Sequence, residues 1–186
     1  MRCIIKLRDL ALEEIIRSAW ETLKIESDGI LFGKLIVNGH KRIFDVFSVH
    51  PFQLAERYPN GVYLQDGSER AGHYFFNSVV GEFHSHPTSR KQRKGVRKTD
   101  PGRVYLGKEK DLPQLKKTPE QIEMVIAWRK TNRDYSLTHN PYKLSFYLED
   151  NKRFYRFDIG GYHLVGNRHL KAEMVVSKRF EKLLWW

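Results

Sequence analysis

Residues 80 to 87 read V-G-E-F-H-S-H-P and put His84 and His86 two positions apart, at the end of an apolar run and just before Pro87. On a strand, side chains two apart point the same way, with Cβ atoms about 6.5–7 Å apart. Two imidazoles so spaced can converge on one metal ion at about 2.0–2.1 Å from each nitrogen. Two ligands hold an ion weakly, and a catalytic zinc typically has three protein ligands with a fourth position open. Glu82 shares the face, giving E-x-H-x-H. Three consecutive same-face residues form a line, however, whereas a tetrahedral ion draws its ligands from different segments. Glu82 is therefore read as a surface or ion-paired residue. A bare H-x-H more often marks two inert, hydrogen-bonded histidines than a metal site, so the rest of the chain must supply the case.

It does so in two places. The run V-V-G-x-x-H-S-H-P resembles the signature of the JAMM metalloproteases, the metal-dependent branch of the JAB/MPN domain family, which includes deubiquitinating isopeptidases. That family also carries E-x-x-G-x-L-x-G at the junction of its first helix and first strand. Residues 26 to 33, E-S-D-G-I-L-F-G, match every fixed position. The resemblance implies Zn2+ as cofactor, with His84 and His86 as ligands. It makes Glu26 the general acid/base, taking a proton from the attacking water and handing it to the leaving amine.

The family's third ligand is the aspartate of S-x-x-D. Family spacing puts it at position 97, where this chain has Arg97, which cannot bind a metal. Two aspartates follow. Asp100, in T-D-P-G, reads as a turn residue; Asp111, in K-D-L-P-Q-L, resembles the family's aspartate at a helix start followed by leucine. Asp111 is the expected ligand, displaced by an insertion. Three positions before it, where the family has a serine that helps hold the oxyanion, stands Lys108, whose ammonium can stabilise an oxyanion electrostatically, repel the metal or simply face solvent. Ser85 is expected to point away from the metal and receives no catalytic role.

The resemblance further implies an α+β fold: a mixed β-sheet flanked by α-helices, of the MPN/cytidine-deaminase kind, in one domain over residues 1–186. It implies hydrolysis of an amide or isopeptide bond next to the C-terminus of a ubiquitin-like or sulfur-carrier protein. The competing expectation is a catalytically weak or inactive scaffold in a protein complex, since many members lack the metal. Glu26, His84 and His86 together favour the enzyme, because a scaffold has no chemical need for all three.

The elements that would position these residues are legible in the hydrophobic pattern. Residues 2 to 8 suggest a strand. Asp9 can cap a helix whose stripe is Leu12, Ile15, Ile16, Ala19, Trp20 and Leu23, at offsets of three and four. Two β-rich runs around Asn38-Gly39 read as a hairpin. Residues 51 to 61 look like a loop and 62 to 72 are ambiguous. A buried strand then runs from Tyr74 to His86, stopped by Pro87. Asp111 opens a short helix, residues 122 to 129 form a strand, and 143 to 158 a second hairpin. Residues 172 to 186 read as a terminal helix, with the final L-L-W-W as its core packing or, alternatively, an exposed aromatic anchor for a partner or a second copy. The sum is a sheet of at least six strands with helices on its faces.

Length and composition set the outer bounds. The 186 residues suit one domain with a core large enough to fold without staples, and the 40% hydrophobic content excludes a disordered chain. Cys3 is the single cysteine, so neither a disulfide framework nor a cysteine-rich zinc module is available. The start lacks the apolar core of a signal peptide, and no run approaches a membrane span, so a cytoplasmic, non-membrane protein is expected. Of the net charge of +11, residues 88 to 110 contribute +7, with nine Lys/Arg against Asp100 and Glu109. This basic insertion can be a merely solvated loop, or it can dock an acidic ubiquitin-like partner through Arg90, Lys91, Arg93 and Lys94. Charge alone also admits nucleic acid, but no helix-turn-helix, zinc-finger or RNA-binding signature accompanies it. His139, His163 and His169 match no ligand spacing.

Overall fold

The computed structural model describes residues 2–22, 26–52, 55–58, 61–64, 78–86, 104–106, 111–131 and 140–183. Ten strands are present among them: β1 Arg2–Leu7, β2 Asp28–Asn38, β3 Lys41–Pro51, β4 Ala55–Tyr58, β5 Gly61–Leu64, β6 Val79–His86, β7 Ile122–Thr131, β8 Leu144–Asp150, β9 Arg153–Val165 and β10 Arg168–Val175. Three helices accompany them: α1 Asp9–Glu21, α2 Asp111–Lys117 and α3 Lys178–Leu183.

Seven strands close on themselves in the order β10–β1–β3–β2–β6–β7–β9, and β9 returns to β10. The closure depends on the length of β9. One of its edges pairs with β7 along residues 154–163. The other is shared, residues 153–159 pairing with β8 and 161–165 with β10. β4 and β5 form a separate two-stranded ribbon.

The expectation of an α+β sheet flanked by helices is therefore corrected: the architecture is a closed β-barrel with few helices. Two misread segments account for the difference. Residues 172–175, expected in a terminal helix, finish β10. Their burial alternates, Ala172 and Met174 in and Val175 out, which is a strand period. Among the described residues that helix covers Lys178–Leu183. Residues 159–165, beyond the expected end of the second hairpin, continue β9. The segment from 51 to 61 also departs from the loop reading, since it contains β4 and the first residue of β5, which runs on to Leu64 in the stretch read as ambiguous.

The hairpin of β2 and β3 forms as expected, with Gly39 at a φ of +57° in its turn. α1 also forms with its expected apolar stripe, but Asp9 is not its cap: Arg8 holds the N-cap position with no side-chain capping bond, and Asp9 is the first helical residue. Ala11, Leu12, Ile15 and Ala19 are buried and join the barrel's inner core with Leu7, Phe44, Phe83, Met124 and Phe157. Trp20 meets Tyr155 edge-on, ring centroids 5.2 Å apart. Leu23, the last residue of the expected stripe, lies outside the described residues.

Alternation then sorts the middle strands into two faces. Phe83, Met124 and Ile126 belong to the inner core. Val125 belongs to a second, outer cluster with Leu106, Leu115, Tyr162 and Leu164. Glu82, His84, His86 and Glu123 thus sit on the outer face of β6 and β7, under α2 and the segment 104–106. Among the described residues no helix is long and apolar enough to cross a membrane.

Candidate metal centre

β6 carries both histidines, between antiparallel β2 and parallel β7. Three strands can approach so closely there because glycines remove the obstacles. A Cβ on Gly81 would drive into the Ile122 carbonyl, and one on Gly29 would strike the Phe83 ring and the His50 carbonyl. The glycines of V-V-G-x-x-H-S-H-P and E-x-x-G are thus close-approach residues that bring β2 and β7 against β6.

Three ligand atoms converge. His84 Nε2 and His86 Nε2 are 3.1 Å apart. Asp111 Oδ2, at the start of α2, lies 3.4 Å from His84 Nε2 and 3.9 Å from His86 Nε2. A tetrahedral ion bound at about 2.0–2.1 Å needs its ligand atoms about 3.3–3.4 Å apart. The observed spacings bracket that value, and the donor set of two imidazoles and a carboxylate suits zinc. Glu26 completes the group, with a carboxylate oxygen and one nitrogen of each histidine all within 4.8 Å of one another.

Glu26 is brought here by its neighbour. The Ser27 backbone N–H donates to Ser85 Oγ at 2.8 Å, and the Ser85 N–H donates to the Ser27 carbonyl at 2.8 Å. Both serines are fully buried. The residue between the histidines therefore points away from the cluster, as expected, but it ties the Glu26 segment to β6.

The electrostatics favour a cation. Burial opposes charge on His84, yet hydrogen bonds to the Asp111 and Glu123 carboxylates, reinforced by their charge, outweigh it and raise its pKa well above the ordinary histidine value. Burial pushes Asp28, opposite His84 in the ladder, up to about 8. Burial, with the charge of Glu123 beside it, pushes Glu82 up to about 7. Glu82 falls outside the converging group, consistent with the linear-arrangement argument against it as a ligand.

Two residues at the site were not foreseen. Glu123 Oε1 lies 2.6 Å from His84 Nδ1. Its only sequence signal is an acidic residue in the otherwise apolar run I-E-M-V-I-A-W. Tyr105, late in the basic insertion, packs its ring on His86 with centroids 5.0 Å apart. Its segment is pinned to the barrel by the Tyr162 hydroxyl, which donates to the Val104 carbonyl at 3.0 Å. Nothing in the sequence marks Tyr105. Lys108, Arg90, Lys91, Arg93, Lys94, Arg97, Asp100 and His139 lie outside the described residues. His163 is buried on β9 and His169 lies tilted against Tyr162, ring centroids 6.3 Å apart, neither belonging to the converging group.

Fold and site together define a closed β-barrel with a His–His–carboxylate cluster and an adjoining glutamate on its outer face. The chain matches no protein-family profile and no curated protein. Among solved structures it is similar to the solution structure of protein DSY2949 from Desulfitobacterium hafniense, with a TM-score of 0.53 and 17% identity over 94% of this chain and 93% of that one. At that identity the likeness concerns the fold alone.

Proposed function

We propose that the chain is a zinc-dependent metallopeptidase of JAMM type, hydrolysing an amide or isopeptide bond next to the C-terminus of a ubiquitin-like or sulfur-carrier protein. One observation carries the reading. Nε2 of His84, Nε2 of His86 and Oδ2 of Asp111 lie 3.1–3.9 Å apart, beside Glu26.

His84, His86 and Asp111 would hold the zinc, which supplies Lewis acidity by polarising a carbonyl and lowering the pKa of water. Glu26 accepts the proton of the attacking water and delivers it to the departing nitrogen, and the Ser27–Ser85 bonds keep it in reach. Tyr105 walls one side of His86. The basic insertion leaves the barrel at His86 and rejoins it at Val104–Leu106 and Asp111. The charge of that segment suits docking of an acidic carrier protein.

The test is cleavage of a carrier-protein fusion by the purified, zinc-loaded chain, with Glu26→Gln as control. Hydrolysis that Glu26→Gln abolishes while zinc stays bound supports the enzyme. Zinc binding with no hydrolysis of any amide or isopeptide substrate points to the scaffold instead. Cleavage unchanged at low salt after charge reversal of Arg90, Lys91, Arg93 and Lys94 removes the docking role of the insertion.

A further inference from the structure

We propose that Glu123 is the positioning residue of this centre, its buried carboxylate fixing the orientation and tautomer of the His84 ring. The inference rests on the cluster being a zinc centre.

Glu123 sits on β7 within a run that is buried throughout, and is itself 5% exposed. A carboxylate in such a place is costly unless it is paired. Its partner is His84 Nδ1 at 2.6 Å, at the short end for an N–H···O contact, the direction in which charge assistance shortens such bonds. The ladder enforces the pairing. β6 and β7 run parallel with Glu82 opposite Glu123 and His84 opposite Val125, so Glu123 is the diagonal neighbour of His84 on the outer face.

The consequence for His84 is specific. With its proton on Nδ1 directed at Glu123, the ring has only Nε2 left to offer a metal. That is the nitrogen that meets His86 Nε2 at 3.1 Å and Asp111 Oδ2 at 3.4 Å. A carboxylate behind a ligating histidine also raises the basicity of the ligand. A neutral acceptor would reproduce the orientation without that second effect, so the two contributions can be separated by substitution.

The experiment uses the full chain and measures zinc affinity by competition with a chromophoric chelator, for the wild type, Glu123→Gln and Glu123→Ala. It is paired with nitrogen-15 NMR of the histidine rings in the zinc-loaded protein. Glu123→Ala should weaken zinc binding by about 10–100-fold and lose the signature of a proton fixed on His84 Nδ1. Glu123→Gln should keep that signature and lose less affinity. If Glu123→Ala does not fold, Glu123→Met, which fills the same space with no oxygen acceptor, carries the test: wild-type affinity with the Nδ1 signature kept would overturn the inference. Wild-type affinity and unchanged His84 signals in the variants overturn the inference while leaving the zinc reading intact. A wild type that takes up no zinc overturns the zinc reading and this inference with it.

Discussion

Ser85 and Ser27 clasp each other through two hydrogen bonds, the Ser85 hydroxyl accepting from the Ser27 N–H and the Ser85 N–H donating to the Ser27 carbonyl, each at 2.8 Å. The clasp joins the segment carrying Glu26 to the strand carrying His84 and His86. It gives the serine of H-S-H-P a mechanical role without placing it in the ligand cluster.

Ser85→Ala removes the hydroxyl and leaves the buried Ser27 N–H without that acceptor, at a cost of about 1–3 kcal/mol. The expected result is a retained zinc stoichiometry with a reduced kcat, because the ligands stay and Glu26 loosens. Elemental analysis beside turnover checks it. Loss of zinc in parallel with activity would contradict the separation of the two roles.

Gly81→Ala pushes a methyl group into the Ile122 carbonyl and separates β6 from β7. Overpacking of this kind costs about 1–3 kcal/mol. Because β7 carries Glu123, the same substitution should weaken zinc binding. Urea unfolding and zinc competition on the one variant measure both effects, and a variant as stable and as zinc-avid as the wild type would refute the close-approach argument.

Leu12→Ala tests whether α1 belongs to the barrel core. Leu12 is fully buried in the cluster that includes Phe44 and Phe83. A loss of about 2–5 kcal/mol is expected from equilibrium unfolding. A loss near zero would mean that the helix contributes little to the core.

His163 predicts an acid-sensitive component of stability. Burial lowers its pKa below the ordinary value of 6.5. Below that value the unfolded chain binds a proton that the folded chain resists, so stability is full above about pH 6.5 and declines as the pH falls toward the lowered folded value. His163→Gln removes this component, and its urea midpoint should fall less than that of the wild type between pH 7 and pH 5. Parallel declines would exclude His163 as the source.

The parts of the site that were legible in the sequence are those bound to a local period or motif. The H-x-H spacing on a strand, the E-x-x-G at a helix-to-strand junction and the aspartate heading a short helix each specify a side chain from its immediate neighbours. Glu123 and Tyr105 come to the site through strand register and through a return of the chain over the barrel, and neither leaves a local mark. The fold divides in the same way. The 3.6 period identified α1 and the Asn-Gly turn identified the first hairpin. Closure was hidden because Gly160 and Gly161 interrupt β9 with residues that strands disfavour, although the Gly166-Asn167 turn was a signal of a further hairpin. Once β9 was cut short, A-E-M-V-V had no partner strand and read as a helix.

The most direct test of the metal centre is the zinc content of the purified chain by elemental analysis, for the wild type beside His84→Ala, His86→Ala, Asp111→Ala and Glu26→Gln. About one zinc per chain is expected in the wild type and in Glu26→Gln, and a large loss in the other three. A wild type without zinc after incubation with the metal would contradict the centre itself, and zinc retained in Asp111→Ala but lost in Glu26→Gln would contradict the assignment of ligand and base.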